Sequence, residues 1–238
     1  MNMTSFFQQW RYREVLIVIA LVLLSLVLAH VPLLSMLFYP FELFNTFIHE
    51  LSHGIAAILT GGRFVRFEVR PNLSGTAWSA GGIGWIVTSA GYLGSAIFGG
   101  FLLLLSAWGV SARAVLMGLG VTLGVLCLLF VRNLFGIATG LLLSASLFLA
   151  GTRLPARWAG FLLLFLAVQA MLNAFESVIV LFVLSTRHGH VTTDAQIMAS
   201  MTGIPAPFWA VLWMGIALLI LLGSLSLAYR NNRLPGQA

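Results

Sequence analysis

The chain has 238 residues, 60% of them hydrophobic and only 8% charged, and its formal net charge is +6. Soluble domains carry roughly 25% charged residues, so this composition excludes a water-facing globule and makes the bilayer the main solvent. The twelve cations are all arginines, set singly or in pairs between apolar runs. They read as helix-end anchors and argue against a nucleic-acid surface.

In chain order, residues 1–14 are an N-terminal polar segment, and a first apolar span covers 15–38 with Pro32 inside it. The span is too long for the core of a cleaved signal peptide, so an uncleaved transmembrane helix is expected. His30, near its end, reads as an interfacial histidine. Pro40 and Glu42 open a second segment over 43–59, which Gly61-Gly62 ends. Residues 63–80 then change character. Phe64, Val65, Arg66, Phe67, Glu68 and Val69 form a stretch rich in β-formers, Pro71 to Gly75 is a turn cluster, and Thr76-Ala77-Trp78 suits a return strand. A short β-hairpin at the membrane surface is expected here, with Arg63, Arg66 and Arg70 available to lipid headgroups.

A third span, 82–108, is studded with Gly84, Gly91, Gly94, Ser95, Gly99 and Gly100, small residues that let helices approach closely in lipid. Two shorter spans, 113–131 and 134–150, hinge at Arg132-Asn133. A long span covers 158–184, a polar loop 185–207, and a last span 208–229, with a polar tail over 230–238. The fold class is therefore an all-α polytopic membrane protein of six to seven transmembrane helices. Residues 15–229 form one transmembrane domain. Arginines in both tails favour an even count with both ends in the cytoplasm, whereas this segmentation gives seven. The 43–59 segment is the first suspect for incomplete crossing. Cys127 stands alone, so no disulfide within the chain is possible.

The chemistry concentrates in His49-Glu50-Leu51-Ser52-His53. Residues four apart share a helix face, so two imidazoles can meet one Zn²⁺. Glu50, beside the first ligand, can take a proton from the zinc-bound water and pass it to a leaving amine. Three ionisable residues within one apolar segment are costly and mark function. A catalytic zinc takes three protein ligands and keeps a fourth position open. Candidates for the third are few. Asp194 is the sole aspartate and is also a possible helix N-cap, while Glu176 lies inside a long apolar helix. His188 and His190 flank Gly189 in the polar loop and read as solvated.

With His49-Glu50-Leu51-Ser52-His53-Gly54, the β-like stretch after Gly61-Gly62, the helix Ser89-Ala90-Gly91-Tyr92-Leu93-Gly94-Ser95 and Asp194-Ala195 leading to Met201-Thr202-Gly203-Ile204-Pro205-Ala206, the chain resembles the site-2 protease family. The likeness is to its compact bacterial branch of intramembrane zinc metalloproteases. The resemblance implies one Zn²⁺, an aspartate ligand from a late segment, Glu50 as catalytic base, and a bacterial cytoplasmic membrane location. The family's Asn-Pro…Asp-Gly pattern is not matched, since Asn173 lacks the spacing and Ala195 follows Asp194, so Glu176 stays open as the third ligand. The partners implied are the lipid bilayer and a membrane-spanning protein substrate. The Phe64–Val69 stretch is similar in position to the family's substrate-clamping strand, and an edge strand there could pair with unwound substrate backbone. Asn173 is a candidate to help stabilise an oxyanion. Two other function classes stand beside the protease: a catalytically silent scaffold of the same fold, and a metal or proton transporter. The concentration of polar groups at one motif argues against the transporter. The intact base argues against the scaffold.

Overall fold

The computed structural model describes residues 32–186 and 193–231. The polar N-terminus, most of the first span with His30, the loop histidines His188 and His190, and nearly all of the C-terminal tail lie outside the described residues. The chain divides into two units, Met1–Pro40 and Phe41–Ala238. Of the first, only residues 32–40 are described, and they are helical. Apart from those nine residues, everything below concerns the second.

Helix α1, Pro32–Leu59, carries Pro40 in its interior. The expected break between 38 and 43 is therefore absent. A proline costs a helix one hydrogen bond and a steric clash, which membrane helices accommodate by local adjustment and neighbouring groups. The helix ends as the sequence suggests. Gly61 adopts φ +83°, and the Gly62 N–H donates back to Ala57 O at 2.8 Å.

Strands β1, Arg63–Val69, and β2, Gly75–Ala80, form the anticipated antiparallel hairpin, with Phe67 opposite Ala77 and Val69 opposite Gly75. The register slips between Phe64 and Arg66, a bulge that leaves Val65 half exposed. Asn72 builds the turn, its Oδ1 accepting from the Ser74 N–H at 3.2 Å and from Ser74 Oγ at 2.7 Å. Leu73 sits at φ +65°, an unfavourable conformation for a branched residue. Thr46 Oγ1 of α1 donates to its carbonyl at 3.0 Å and so fixes the turn against that helix.

Four helices among the described residues are long and apolar enough to cross a membrane: Gly84–Ala107 (α2), Ala112–Phe130 (α3), Leu134–Arg153 (α4), and Ala206–Ala228 within α7, Ala206–Asn231. Helix α5, Ala156–Thr186, is also apolar, and α6, Asp194–Thr202, is short. The protein is thus a mostly helical polytopic membrane protein with a small two-stranded sheet. Leu128, Leu134 and Leu219 are among the large apolar side chains exposed on these helices, as lipid contact demands.

Small residues set the packing. A Cβ on Gly120 would crowd the backbone of Ser144 and Phe148, so α3 and α4 meet almost backbone to backbone. Helix α2 packs against both α5 and α7, which also touch each other, with Gly99 against Met171 and Gly100 against Ser224. The corner between α3 and α4 reaches the hairpin. Arg132 N–H donates to Phe67 O at 3.1 Å, and the Asn133 side chain accepts from Val69 N–H at 3.2 Å and donates to Val69 O at 2.6 Å. Phe67 and Val131 form an isolated parallel bridge. Strand β1 is therefore held on both edges, whereas β2 pairs only with β1 among the described residues.

The 185–207 segment, read from sequence as a loop, contains α6. Thr193 caps it through a reciprocal capping box with Gln196, and Gly203 at φ +74° ends it. Thr193, not Asp194, is thus the cap.

Candidate metal centre

The site is built on α1. One turn apart on a single face, His49 and His53 bring their Nε2 atoms to 3.1 Å from each other. Asp194, the first residue of α6, meets them from 145 positions away in sequence. Its Oδ2 is 3.2 Å from His49 Nε2 and 3.4 Å from His53 Nε2. Because Thr193 takes the capping role, the Asp194 carboxylate is free to point at the imidazoles. Burial works to raise its pKa. The charge of His53 and hydrogen bonds with both histidines outweigh that and hold the carboxyl well below the usual carboxylate range.

The two histidines are oriented differently. His53 Nδ1 lies 2.7 Å from the Val87 carbonyl of α2, a contact that fixes Nδ1 as the protonated nitrogen and leaves Nε2 as a donor to a metal. His49 instead meets the Tyr92 ring edge to face, with centroids 4.8 Å apart. Gly91, beside Tyr92, gives both rings room. A Cβ there would overlap His49 and the Nε2 of His53.

Glu50 is 5% exposed, and no hydrogen bond or ion pair to it is found among the described residues. It abuts Gly75, where a Cβ would overlap its carboxylate. The start of β2 therefore lies directly against the residue beside the first histidine.

A tetrahedral zinc with bonds of about 2.0–2.1 Å sets its ligand atoms about 3.3–3.4 Å apart. The separations of 3.1, 3.2 and 3.4 Å here fit such an ion, and two imidazoles with one carboxylate are a suitable donor set. Among the described residues, His49, His53 and Asp194 are brought together. Glu176 and Asn173 fall on α5, but their side chains are outside the described residues. Along Phe64–Val69, Phe64, Phe67 and Val69 are buried, Val65 and Arg66 are exposed, and Glu68 pairs with Arg70 at 3.7 Å. Arg66 also lies over the Trp78 ring at 4.5 Å. Sequence reasoning missed Val87, Gly75 and Tyr92 as neighbours of the site. Gly75 and Gly91 had shown themselves only as a turn residue and a packing residue.

The family model of Peptidase M50B-like proteins matches residues 15–224. The chain belongs to that family, in keeping with its resemblance to the site-2 proteases. No curated protein and no solved structure matches the chain.

Proposed function

We propose that this M50B-like membrane protein is an intramembrane zinc metalloprotease that hydrolyses peptide bonds of membrane-spanning substrates. The observation that carries the reading is the convergence of His49, His53 and Asp194 at 3.1–3.4 Å, with Glu50 buried beside them. These three residues would hold one Zn²⁺, which when bound supplies a Lewis acid for the scissile carbonyl and lowers the pKa of water.

The chain's own residues do the rest. A buried carboxylate with no hydrogen bond among the described residues is costly, and a water entering the site would give Glu50 one. One of its oxygens takes the proton from the attacking water and returns it to the leaving nitrogen. The Val87 carbonyl holds His53 in the tautomer that leaves Nε2 to the metal.

Substrate presentation falls to the hairpin. An unwound segment in lipid leaves backbone groups unpaired at several kcal/mol each, and an edge strand relieves that. The sequence pointed to Phe64–Val69. Both edges of that strand are engaged at Phe67 and Val69, so the outward backbone groups of Gly75, Ala77 and Ser79 on β2 are the ones to accept substrate. The edge begins where Gly75 touches Glu50, so a strand added there runs past the base.

The test compares purified wild type with Glu50→Gln for bound zinc and for cleavage of membrane-spanning peptides. Zinc in both proteins with cleavage only in wild type is expected. Equal cleavage would remove Glu50 as the base. Zinc flux into liposomes that depends on Glu50 would favour transport instead.

A further inference from the structure

The two histidines of the site are held by different means. His53 is oriented by a hydrogen bond to a backbone carbonyl, whereas no hydrogen bond to His49 Nδ1 is found among the described residues. Besides its fellow histidine His53, the ring that meets His49 edge to face is Tyr92, with centroids 4.8 Å apart. Tyr92 in turn stacks on Trp213 of α7, centroids 5.3 Å apart and planes 23° from parallel. Trp213 is 1% exposed, and its indole N–H donates to Ser89 Oγ at 3.1 Å, one turn before Tyr92 on α2. Ser89 Oγ itself donates to the Trp85 carbonyl at 2.8 Å. The stack is thus fixed to two helices.

The far side of the same stack reaches the third ligand. Trp213 belongs to a buried cluster with Ala195 and Met198 of α6, and Tyr92 packs against that cluster. Ala195 follows Asp194 directly. One pair of aromatic rings therefore touches the first histidine and the helix that delivers the aspartate.

We infer that Tyr92 and Trp213 are positioning residues for the metal centre, acting as a rigid aromatic brace that sets the His49 ring and the α6 helix against each other at the separation a metal requires. The inference rests on the zinc reading given above and assigns to the ring faces what a hydrogen bond does for His53. Aromatic rings suit the role because they fill volume without rotamer freedom along their length, and edge-to-face contact fixes an angle as well as a distance. The Tyr92 hydroxyl is not needed for this; the ring is.

The experiment measures metal affinity and geometry rather than turnover. Detergent-purified wild type, Tyr92→Phe, Tyr92→Leu, Trp213→Leu and a control, Trp85→Leu, are stripped of metal and titrated with Zn²⁺. They are then loaded with Co²⁺ for its visible absorption spectrum. Loss of ligand orientation costs about 10- to 100-fold in metal affinity. Tyr92→Leu and Trp213→Leu are expected to weaken Zn²⁺ by that factor and to broaden the cobalt spectrum. Tyr92→Phe, which keeps the ring, and Trp85→Leu, whose side chain is exposed on the same helix, should match wild type. Trp213→Leu reports from α7, so misfolding of one variant does not remove the test. Wild-type affinity and spectrum in both leucine variants would overturn the brace while leaving the protease reading intact. Loss of affinity in Tyr92→Phe as well would also overturn it, by assigning the role to the hydroxyl. A wild type that holds no metal would overturn both, and cleavage by Tyr92→Phe with none by Glu50→Gln separates the two claims from the other side.

Discussion

Two glycines flank α1 and do different work. Gly91 on α2 lies against the imidazoles of His49 and His53, whereas Gly75 at the start of β2 lies against the carboxylate of Glu50. One clears space for the residues that would hold the ion, the other for the residue that would move the proton. Helix α1 thus presents His49 and His53 toward α2 and Glu50 toward the hairpin. On the proposed reading, holding metal and handling protons would be divided between two separate packing partners, and substitutions at the two positions should produce different failures.

The largest effect is expected at Gly91. In Gly91→Ala the new methyl overlaps both ring systems, and His49 cannot swing aside freely because Tyr92 packs against it. Zinc affinity should fall about 100-fold, the upper end of what lost ligand orientation costs, and cleavage should fall with it unless zinc is supplied in excess. Isothermal titration of the metal-free protein reads this directly. Unaltered affinity would mean that α2 does not confine the imidazoles.

A smaller and different loss is expected from Gly75→Ala. The methyl displaces the Glu50 carboxylate, and overpacking of this kind costs about 1–3 kcal/mol. General base catalysis contributes roughly 10²- to 10⁴-fold, so a displaced base forfeits part of it and kcat should drop about 10- to 100-fold. Zinc content should stay at the wild-type level. A parallel fall in zinc would erase the distinction between the two glycines.

The candidate metal-binding turn of α1 was legible in the sequence because its logic is local. Residues four apart on a helix share a face whatever the fold, so His49 and His53 announce themselves. The hairpin was legible for the same reason, its β-formers and turn cluster lying within 18 residues, from Arg63 to Ala80. Asp194 could be singled out only by scarcity and by resemblance, since no spacing rule spans 145 residues. The helix it opens lay inside an expected polar loop, where the sequence offered only Asp194 as a possible cap and the structure places the cap at Thr193. Its nine residues carry little apolar periodicity, and its signal was the Thr193…Gln196 box with Gly203 behind it. The run through Pro40 was misjudged because a local rule about proline was applied to a helix that continues past it. Which edge of the hairpin stays open was not legible at all. That depends on Asn133, 64 residues beyond Val69, reaching back to occupy the backbone of β1.

That last point gives the mildest test. In the register observed, Ala77 faces Phe67, whose carbonyl accepts from Arg132 on the side away from β2. The Ala77 N–H must therefore also point outward, to the open edge. Ala77→Pro removes this one donor without breaking a bond of the β1–β2 ladder, and proline is tolerated on edge strands. If substrate backbone pairs there, one hydrogen bond is lost, worth about 0.5–1.5 kcal/mol, so KM for a membrane-spanning peptide should rise roughly 2- to 10-fold. Zinc affinity should be unchanged, as should kcat at saturation, because neither imidazole nor base has moved. Proline at Phe67 would be a poorer probe, since that side chain is fully buried and its loss would damage the core. A KM untouched by Ala77→Pro would place substrate elsewhere, and Gly75 would then serve only to seat Glu50.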